Sequence, residues 1–317
     1  MRIFLIAIFF SCLIVFPACN NAIKRTGGKV VDEMKTDAKG GLGVTIPNSN
    51  LNIVIKSSED LIGYWVGYFE DANLDHDMVS IVADDGLEWT RENKINISID
   101  QITGDKVIGH SVDAGLLRPF NGTVKEDGHA FVFDLKEPGD NNFDGAFHFA
   151  VRKNDSQLNG TWKAFQKMEV PNRKYTLQKR SFKYDANQML ENSRRYANWN
   201  KVKKSGIKDE ESNEDMKEFS TVTDVIYSIN ASAKLLTKTD VENLFKGDLL
   251  IIRNTIYARH GYTFKTQPLR VFFDAQSWYV PLNTNIKNEL TEIEKKNIVL
   301  LLKYEKNARE YYDVFGR

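Results

Sequence analysis

Few side chains in this chain are spaced for catalysis. Its five histidines stand apart, at positions 76, 110, 129, 148 and 260. No His-Glu-x-x-His run sets two imidazoles on one helix face, no Gly-x-Ser-x-Gly raises a serine nucleophile, and no glycine-rich loop cradles a phosphate. His110, His129 and His148 fall on or near strand patterns, where two of them could meet across a sheet. Two acidic stretches space oxygen ligands as a calcium loop does. They are Asp71-Ala72-Asn73-Leu74-Asp75-His76-Asp77 and Asp140-Asn141-Asn142-Phe143-Asp144-Gly145. Val82 and Val151 stand where such a loop needs its bidentate Glu, and no helix pattern follows. Each therefore reads first as a polar hairpin turn. Calcium is the one cofactor the chain suggests, with Asp140, Asn142 and Asp144 the better site.

A denser group lies near the C-terminus, at Tyr257-Ala258-Arg259-His260-Gly261. These residues end a helical pattern, where a cation faces the negative end of the helix dipole and gains about 0.3–1 kcal/mol. Trp278 and Tyr279 follow at a distance that lets them pack on this corner. Two roles are open. The group is an internal brace, with Arg259 bonded to terminal carbonyls or stacked on a ring. Or Tyr257, Arg259, His260, Trp278 and Tyr279 form an exposed patch for an envelope carbohydrate, peptide or protein. Buried and fully bonded Arg259 and His260 would decide for the brace.

The same residues resemble the signature of the YARHG domain, a small bacterial module held to be extracellular. Arg253-Asn254 and Ile256 precede the signature, Tyr262 and Phe264 follow it, and Leu269, Phe273 and Trp278-Tyr279 stand at the family's spacing. Thr255 and Phe272 depart from the usual Glu and Tyr. The resemblance spans roughly residues 237–308. It implies a domain without implying an activity.

Punctuation around the signature predicts an all-α domain over residues 221–317. Thr239-Asp240-Val241-Glu242 and Thr291-Glu292-Ile293-Glu294 have the form of capping boxes, and Asp248 can cap a further helix. Leu249, Ile252 and Ile256 share one helix face, and Gly261 is placed to end that helix with positive φ. The last helix is expected to carry Leu300, Tyr304, Ala308, Tyr311 and Phe315 on one side.

Residues 58–185 carry a different period. Ile95, Ile97 and Ile99 alternate with polar residues, as do Phe131, Phe133 and Leu135, and then Phe147, Phe149 and Val151. Period two buries one face of a strand. Asp85-Gly86, Gly104-Asp105, Asn121-Gly122, Asp127-Gly128 and Asn159-Gly160 read as tight turns between strands. The pattern predicts an antiparallel meander of about eight strands, closed as a barrel to remove its edges. Gly63-Tyr64-Trp65 and Asn159-Gly160-Thr161-Trp162 faintly resemble the glycine and tryptophan segments of lipocalin and avidin barrels. Trp65 and Trp162 serve equally well as plugs of the core. The fold class is thus α+β in separate domains, a β-barrel-like meander followed by a small helical domain.

The beginning of the chain predicts export. Arg2 precedes an almost unbroken apolar run over residues 3–16, and Pro17-Ala18-Cys19 follow. Such a run is short of the roughly 20 apolar residues that span a bilayer and has the form of a signal peptide. Val15-Phe16-Pro17-Ala18-Cys19 resembles a bacterial lipobox, with Phe16 and Pro17 as departures. The resemblance implies cleavage after residue 18 and lipidation, including palmitate, at Cys19. The only other cysteine is Cys12, which cleavage removes, so no disulfide or cysteine metal site is expected. Residues 19–57, rich in Gly, Asn, Lys and Ser, read as a tether. Residues 186–220, charged and poor in large apolar side chains, read as an exposed interdomain linker.

Forty-three Lys and Arg balance 43 Asp and Glu, and 42% of residues are hydrophobic. That balance speaks against nucleic acid as a partner. The expected protein is a lipid-anchored envelope protein, periplasmic or at the cell surface, that binds a ligand or partner without catalysis. The alternatives are a hydrolase of envelope polymers, using His260 or barrel carboxylates, and a structural or assembly lipoprotein. A binder should show a rimmed cavity or an exposed aromatic patch.

Overall fold

The computed structural model describes residues 55–73, 92–210 and 213–314. The signal segment 1–18, Cys19, nearly all of the tether, Asp85-Gly86 and the calcium-loop residues Asp75, His76 and Asp77 lie outside them.

Eight strands follow one another: β1 (Gly63–Asp71), β2 (Asn93–Thr103), β3 (Lys106–Asp113), β4 (Leu116–Asp127), β5 (Ala130–Lys136), β6 (Gly145–Arg152), β7 (Gln157–Ala164) and β8 (Asn172–Arg180). Each pairs antiparallel with the next, and β8 returns to pair with β1, so the barrel is closed. The alternating runs point as their period requires. Ile95, Ile97, Ile99, Phe131, Phe133, Leu135, Phe147, Phe149 and Val151 are all buried in one core. Trp65 and Trp162 join them.

That core is filled with rings. Phe133 stacks on Phe149 at 4.6 Å between centroids, and Phe69 meets Trp162 edge-on at 5.5 Å. Room for the rings comes from inward glycines. A Cβ on Gly160 would lie 2.4 Å from Phe149 Cβ and 2.7 Å from Tyr175 Cε2. On Gly122 it would lie 2.0 Å from the Asp134 carbonyl oxygen. Asn121-Gly122 and Asn159-Gly160 are therefore not turns. They lie inside β4 and β7, where the glycine is demanded by its neighbours. Gly104 and Gly128 do sit in the expected turns, with φ of 61° and 56°.

At one end of the barrel a 3-10 turn, Glu59–Leu61, closes the core. Ile55 and Leu61 are buried there, and Trp65 Nε1 donates to the Leu61 carbonyl at 2.9 Å. The predicted tether thus gives way to packed chain at Ile55.

The C-terminal part contains α1 (Lys238–Val241), α2 (Lys246–Arg259), α3 (Gln267–Asp274) and α4 (Glu292–Glu305). It also contains a three-stranded antiparallel sheet of β9 (Ala197–Lys208), β10 (Asp215–Thr221) and β11 (Tyr311–Val314), in the order β11-β10-β9. Residues 186–220 are thus not a linker. Their charges pair across strands, Lys203 with Glu218 at 2.9 Å and Lys204 with Asp215 at 3.1 Å. Tyr311 belongs to the sheet and not to the last helix, which ends at Glu305. The first capping box stands two residues earlier than its sequence suggests, with Asp240 Oδ2 accepting from Thr237 N at 2.7 Å. Asp248 caps α2 as expected, from its third position, reaching back to accept from Phe245 N at 3.1 Å. The box at Thr291 and Glu294 forms as expected, with bonds of 2.8 and 3.3 Å.

The barrel and the helical part belong to one compact unit, residues 46–317.

Candidate functional site

The signature corner begins where α2 ends. Gly261 takes φ of +71°, and Tyr262 N donates to the Tyr257 carbonyl at 3.1 Å. This bond closes a Schellman motif, which needs a left-handed residue. Leu282 and Asn283 amides then donate to the Gly261 carbonyl at 2.8 and 3.0 Å, which brings the chain after Trp278-Tyr279 against the corner.

The five candidate residues do not form an open patch. Arg259, His260, Trp278 and Tyr279 are buried and Tyr257 is half-buried. Arg259 Nε donates to the Gln188 carbonyl at 2.7 Å, and its Nη1 donates to Ser232 Oγ at 3.0 Å. Burial lowers this guanidinium to about 10. His260 Nε2 lies 2.8 Å from Glu294 Oε2, and Tyr184 OH donates to Glu294 Oε1 at 3.0 Å. The Tyr184 ring stacks on the imidazole at 4.3 Å. Burial alone would raise Glu294. The bonds from His260, Ser232 and the Thr291 amide outweigh it and hold the carboxyl at about 2. The acceptor at the centre of the corner is therefore a buried carboxylate, and the exposed-patch expectation is corrected by the burial of its charged members.

Two partners of the corner come from outside it. Tyr184 and Gln188 belong to the segment leaving β8. Tyr279 faces the barrel itself, with Lys94 Nζ 5.6 Å from its ring centroid. Lys94 lies on the outer side of β2, and its Nζ donates to the Gln276 carbonyl at 2.7 Å. Its amide donates to Asp274 Oδ2 at 2.9 Å, and Tyr68 OH donates to the Asp274 carbonyl at 2.9 Å. Burial drives the pair together in titration, lifting Asp274 to about 7 and lowering Lys94 to about 8. Gly115, in the β3–β4 turn, donates to Thr263 Oγ1 at 3.0 Å. Val280 and Leu282 pack on Val66 of β1. What the signature corner recognises is this chain's own barrel and the segment that follows it.

A second feature lies on the barrel, in the loops β5–β6 and β7–β8. Phe143 is 52% exposed and Phe165 46% exposed. Phe165 N donates to the Asp144 carbonyl at 2.9 Å, so the two loop tips are joined. The calcium-loop residues supply the bracing. Asp144 is buried, and its Oδ2 accepts from Gly139 N at 2.9 Å and Asn141 N at 3.3 Å. Asn141 Oδ1 accepts from Phe143 N at 3.0 Å. Among the described residues, no group of three or more His, Cys, Asp and Glu side chains is placed to hold a metal. Asp140 and Asn142 are exposed.

Behind these loops lies a buried polar plug. Glu137 accepts from Gly145 N at 2.7 Å, Arg118 Nε at 2.9 Å, Ser111 Oγ at 2.9 Å and Trp162 Nε1 at 3.2 Å. Arg118 also pairs with Asp113. Burial raises Glu137 against the pull of Arg118. The loop tips are therefore tied to a saturated network, and the rings are held without being covered.

Among the described residues, two further histidines each face a carboxylate. His110 Nδ1 lies 2.8 Å from Asp100 Oδ2, and His148 Nδ1 lies 2.7 Å from Asp134 Oδ1. Sequence patterns missed Phe143 and Phe165, although an apolar ring inside a turn of Asp and Asn is itself a signal. They also missed Glu294 as the partner of His260 and Lys94 as the partner of Asp274, which lie far apart along the chain.

A YARHG domain model matches residues 224–306. No curated protein matches the chain. Among solved structures, the chain is similar to Echinococcus granulosus fatty-acid-binding protein 1, at 13% identity and a TM-score of 0.22, over 38% of this chain and 98% of that one. The chain thus carries a YARHG domain at residues 224–306, joined to a closed eight-stranded antiparallel barrel.

Proposed function

We propose that this is a non-enzymatic envelope protein, anchored through a lipid on Cys19, that binds a partner at the Phe143–Phe165 lip. The observation that carries the binding role is the exposure of two phenylalanine rings on braced loops whose backbones are hydrogen-bonded. Aromatic side chains on a rigid support are favoured binding anchors, because little conformational entropy is lost when they are covered. The other two candidate surfaces support this choice by being occupied. The barrel core holds its own rings, and the signature corner holds the barrel. His260 is committed to Glu294, which argues against the hydrolase alternative that uses it.

The partner class is an envelope carbohydrate, peptide or protein, and nucleic acid does not suit a chain of balanced charge. The test of binding is co-sedimentation of the Cys19→Ala chain with delipidated envelope material, on which neither a lipid anchor nor a phospholipid surface can hold it. Phe143→Ser with Phe165→Ser should abolish retention while leaving the melting temperature unchanged. Undiminished retention would overturn the lip. Anchoring is tested separately: Cys19→Ala should abolish palmitate labelling, and continued labelling would overturn the lipid anchor.

A further inference from the structure

The helix α4 shows solvent a surface unlike that of an ordinary exposed helix. Its inner side is set by Glu294, Asn297 and Leu301, all buried. On the outer side Val299 is 69% exposed and Leu302 is 47% exposed. No other large apolar side chain among the described residues is as exposed as Val299. Lys295, Lys296, Lys303 and Lys306 are exposed around these two, at the spacing that places residues on one side of a helix. Lys295 pairs with Glu292 at 2.8 Å. Lys296, Lys303 and Lys306 make no ion pair among the described residues. Glu305 is turned away, bonded to Arg253 Nε at 2.9 Å and Nη2 at 3.1 Å. One glutamate therefore faces four lysines, with two branched aliphatic side chains between them.

We infer that this face of α4 docks on an anionic phospholipid surface. Single exposed apolar residues are commonplace. An aliphatic centre framed by lysines, three of them outside any ion pair, is the arrangement of a helix that lies in a bilayer interface. The aliphatic groups enter the boundary region while the long lysine stems let their ammonium groups reach headgroup phosphates. The surface is a convex helix side, not a groove, so it suits a planar array of charges better than an extended peptide. Lysine is a flexible point charge and tolerates irregularly placed phosphates, whereas Arg favours paired, fixed geometry. A lipid on Cys19 would strengthen the contact by raising its effective concentration. The contact itself rests on α4 and not on that anchor.

The test mixes the full chain with phosphatidylcholine vesicles, and with vesicles that also contain phosphatidylglycerol. Flotation is measured first, and then the rate at which each lysine is acetylated by a soluble reagent. On phosphatidylglycerol vesicles, Lys296, Lys303 and Lys306 should be acetylated several-fold more slowly than on phosphatidylcholine, while Lys201 and Lys204 on β9 are unchanged. High salt should reduce the protection. Val299→Asp with Leu302→Asp should remove it. Equal rates on the two vesicle types would overturn the docking. So would protection by soluble polyglutamate without protection by vesicles, which would assign the face to an acidic protein. Flotation on phosphatidylcholine alone reports the lipid anchor, so loss of either property is seen independently of the other.

Discussion

The barrel core and the signature corner are both buried, and they are built from opposite materials. In the barrel, Phe133, Phe149, Phe69 and Trp162 touch ring to ring, and inward glycines make the space. In the corner, Arg259, His260, Tyr184 and Glu294 are bonded to one another or to backbone, and an apolar shell surrounds them. A core of rings is stabilised by area and is tolerant of pH. A core of charges is held by a few directional bonds and fails when one partner is lost or protonated. The first serves to make a rigid body. The second fixes how that body meets the rest of the chain.

The largest expected effect breaks the ring core. Gly160→Val should prevent barrel closure, because its side chain would occupy the positions of Phe149 and Tyr175. Loss of a cooperative unfolding transition in circular dichroism is the outcome to look for. A folded Gly160→Val protein would show that the interior has unused space. Trp162→Ala should cost about 3–5 kcal/mol by denaturant titration.

Acid should separate the two regions. Glu294 has a carboxyl value of about 2 in the folded protein against an ordinary 4.5. A depressed value adds stability above the unfolded one, and the gain is lost as pH falls through the folded one. The corner should therefore lose up to about 3 kcal/mol between those two pH values, while Glu137, raised by burial, gives the barrel no matching loss in acid. Hydrogen exchange measured down this range should show α4 opening before the barrel strands. Glu294→Gln should remove the acid step. If α4 and the barrel strands open together in the wild type, the contrast between the two regions is wrong.

A smaller effect is expected at the contact between them. Lys94→Ala keeps the amide bond to Asp274 but leaves the buried Gln276 carbonyl without its ammonium donor, at a cost of about 1–3 kcal/mol confined to that contact. Calorimetry should then resolve separate transitions for barrel and helices where the wild type shows one. The smallest effect belongs to Phe143→Ser and Phe165→Ser, each within about 0.5 kcal/mol of wild type, since exposed side chains contribute little to folding.

The two regions also differed in how far they could be foreseen. Alternation at Ile95-Ile97-Ile99 and Phe147-Phe149-Val151 told which side of each strand is buried, because period two is written locally. Gly261 was equally plain, since a helix end calls for its conformation within a few residues. Gly122 and Gly160 misled, because Asn-Gly has the same form in a hairpin turn and in a strand whose neighbours exclude a Cβ. Residues 197–221 misled for another reason. β9 is an edge strand with Val202 and Ile207 exposed, so burial leaves no alternation to see. Only the complementarity of its lysines with the acids of β10 marked it. The bonds of Arg259 to Gln188 and of Lys94 to Asp274 join residues far apart in sequence, and no local pattern encodes such pairs. Phe143 and Phe165 became a site only when the fold brought two loops together.

The central claim is that the signature residues look inward, to the barrel, while the aromatic lip looks outward, to a partner. Retention on delipidated envelope material, measured in the Cys19→Ala chain for folded His260→Ala and folded Phe143→Ser/Phe165→Ser at a temperature below both melting transitions, tests it directly. The prediction is that His260→Ala, although it melts earlier, is retained as well as the wild type, and that the double phenylalanine variant is not retained. Retention lost in His260→Ala and kept in the double variant would contradict it.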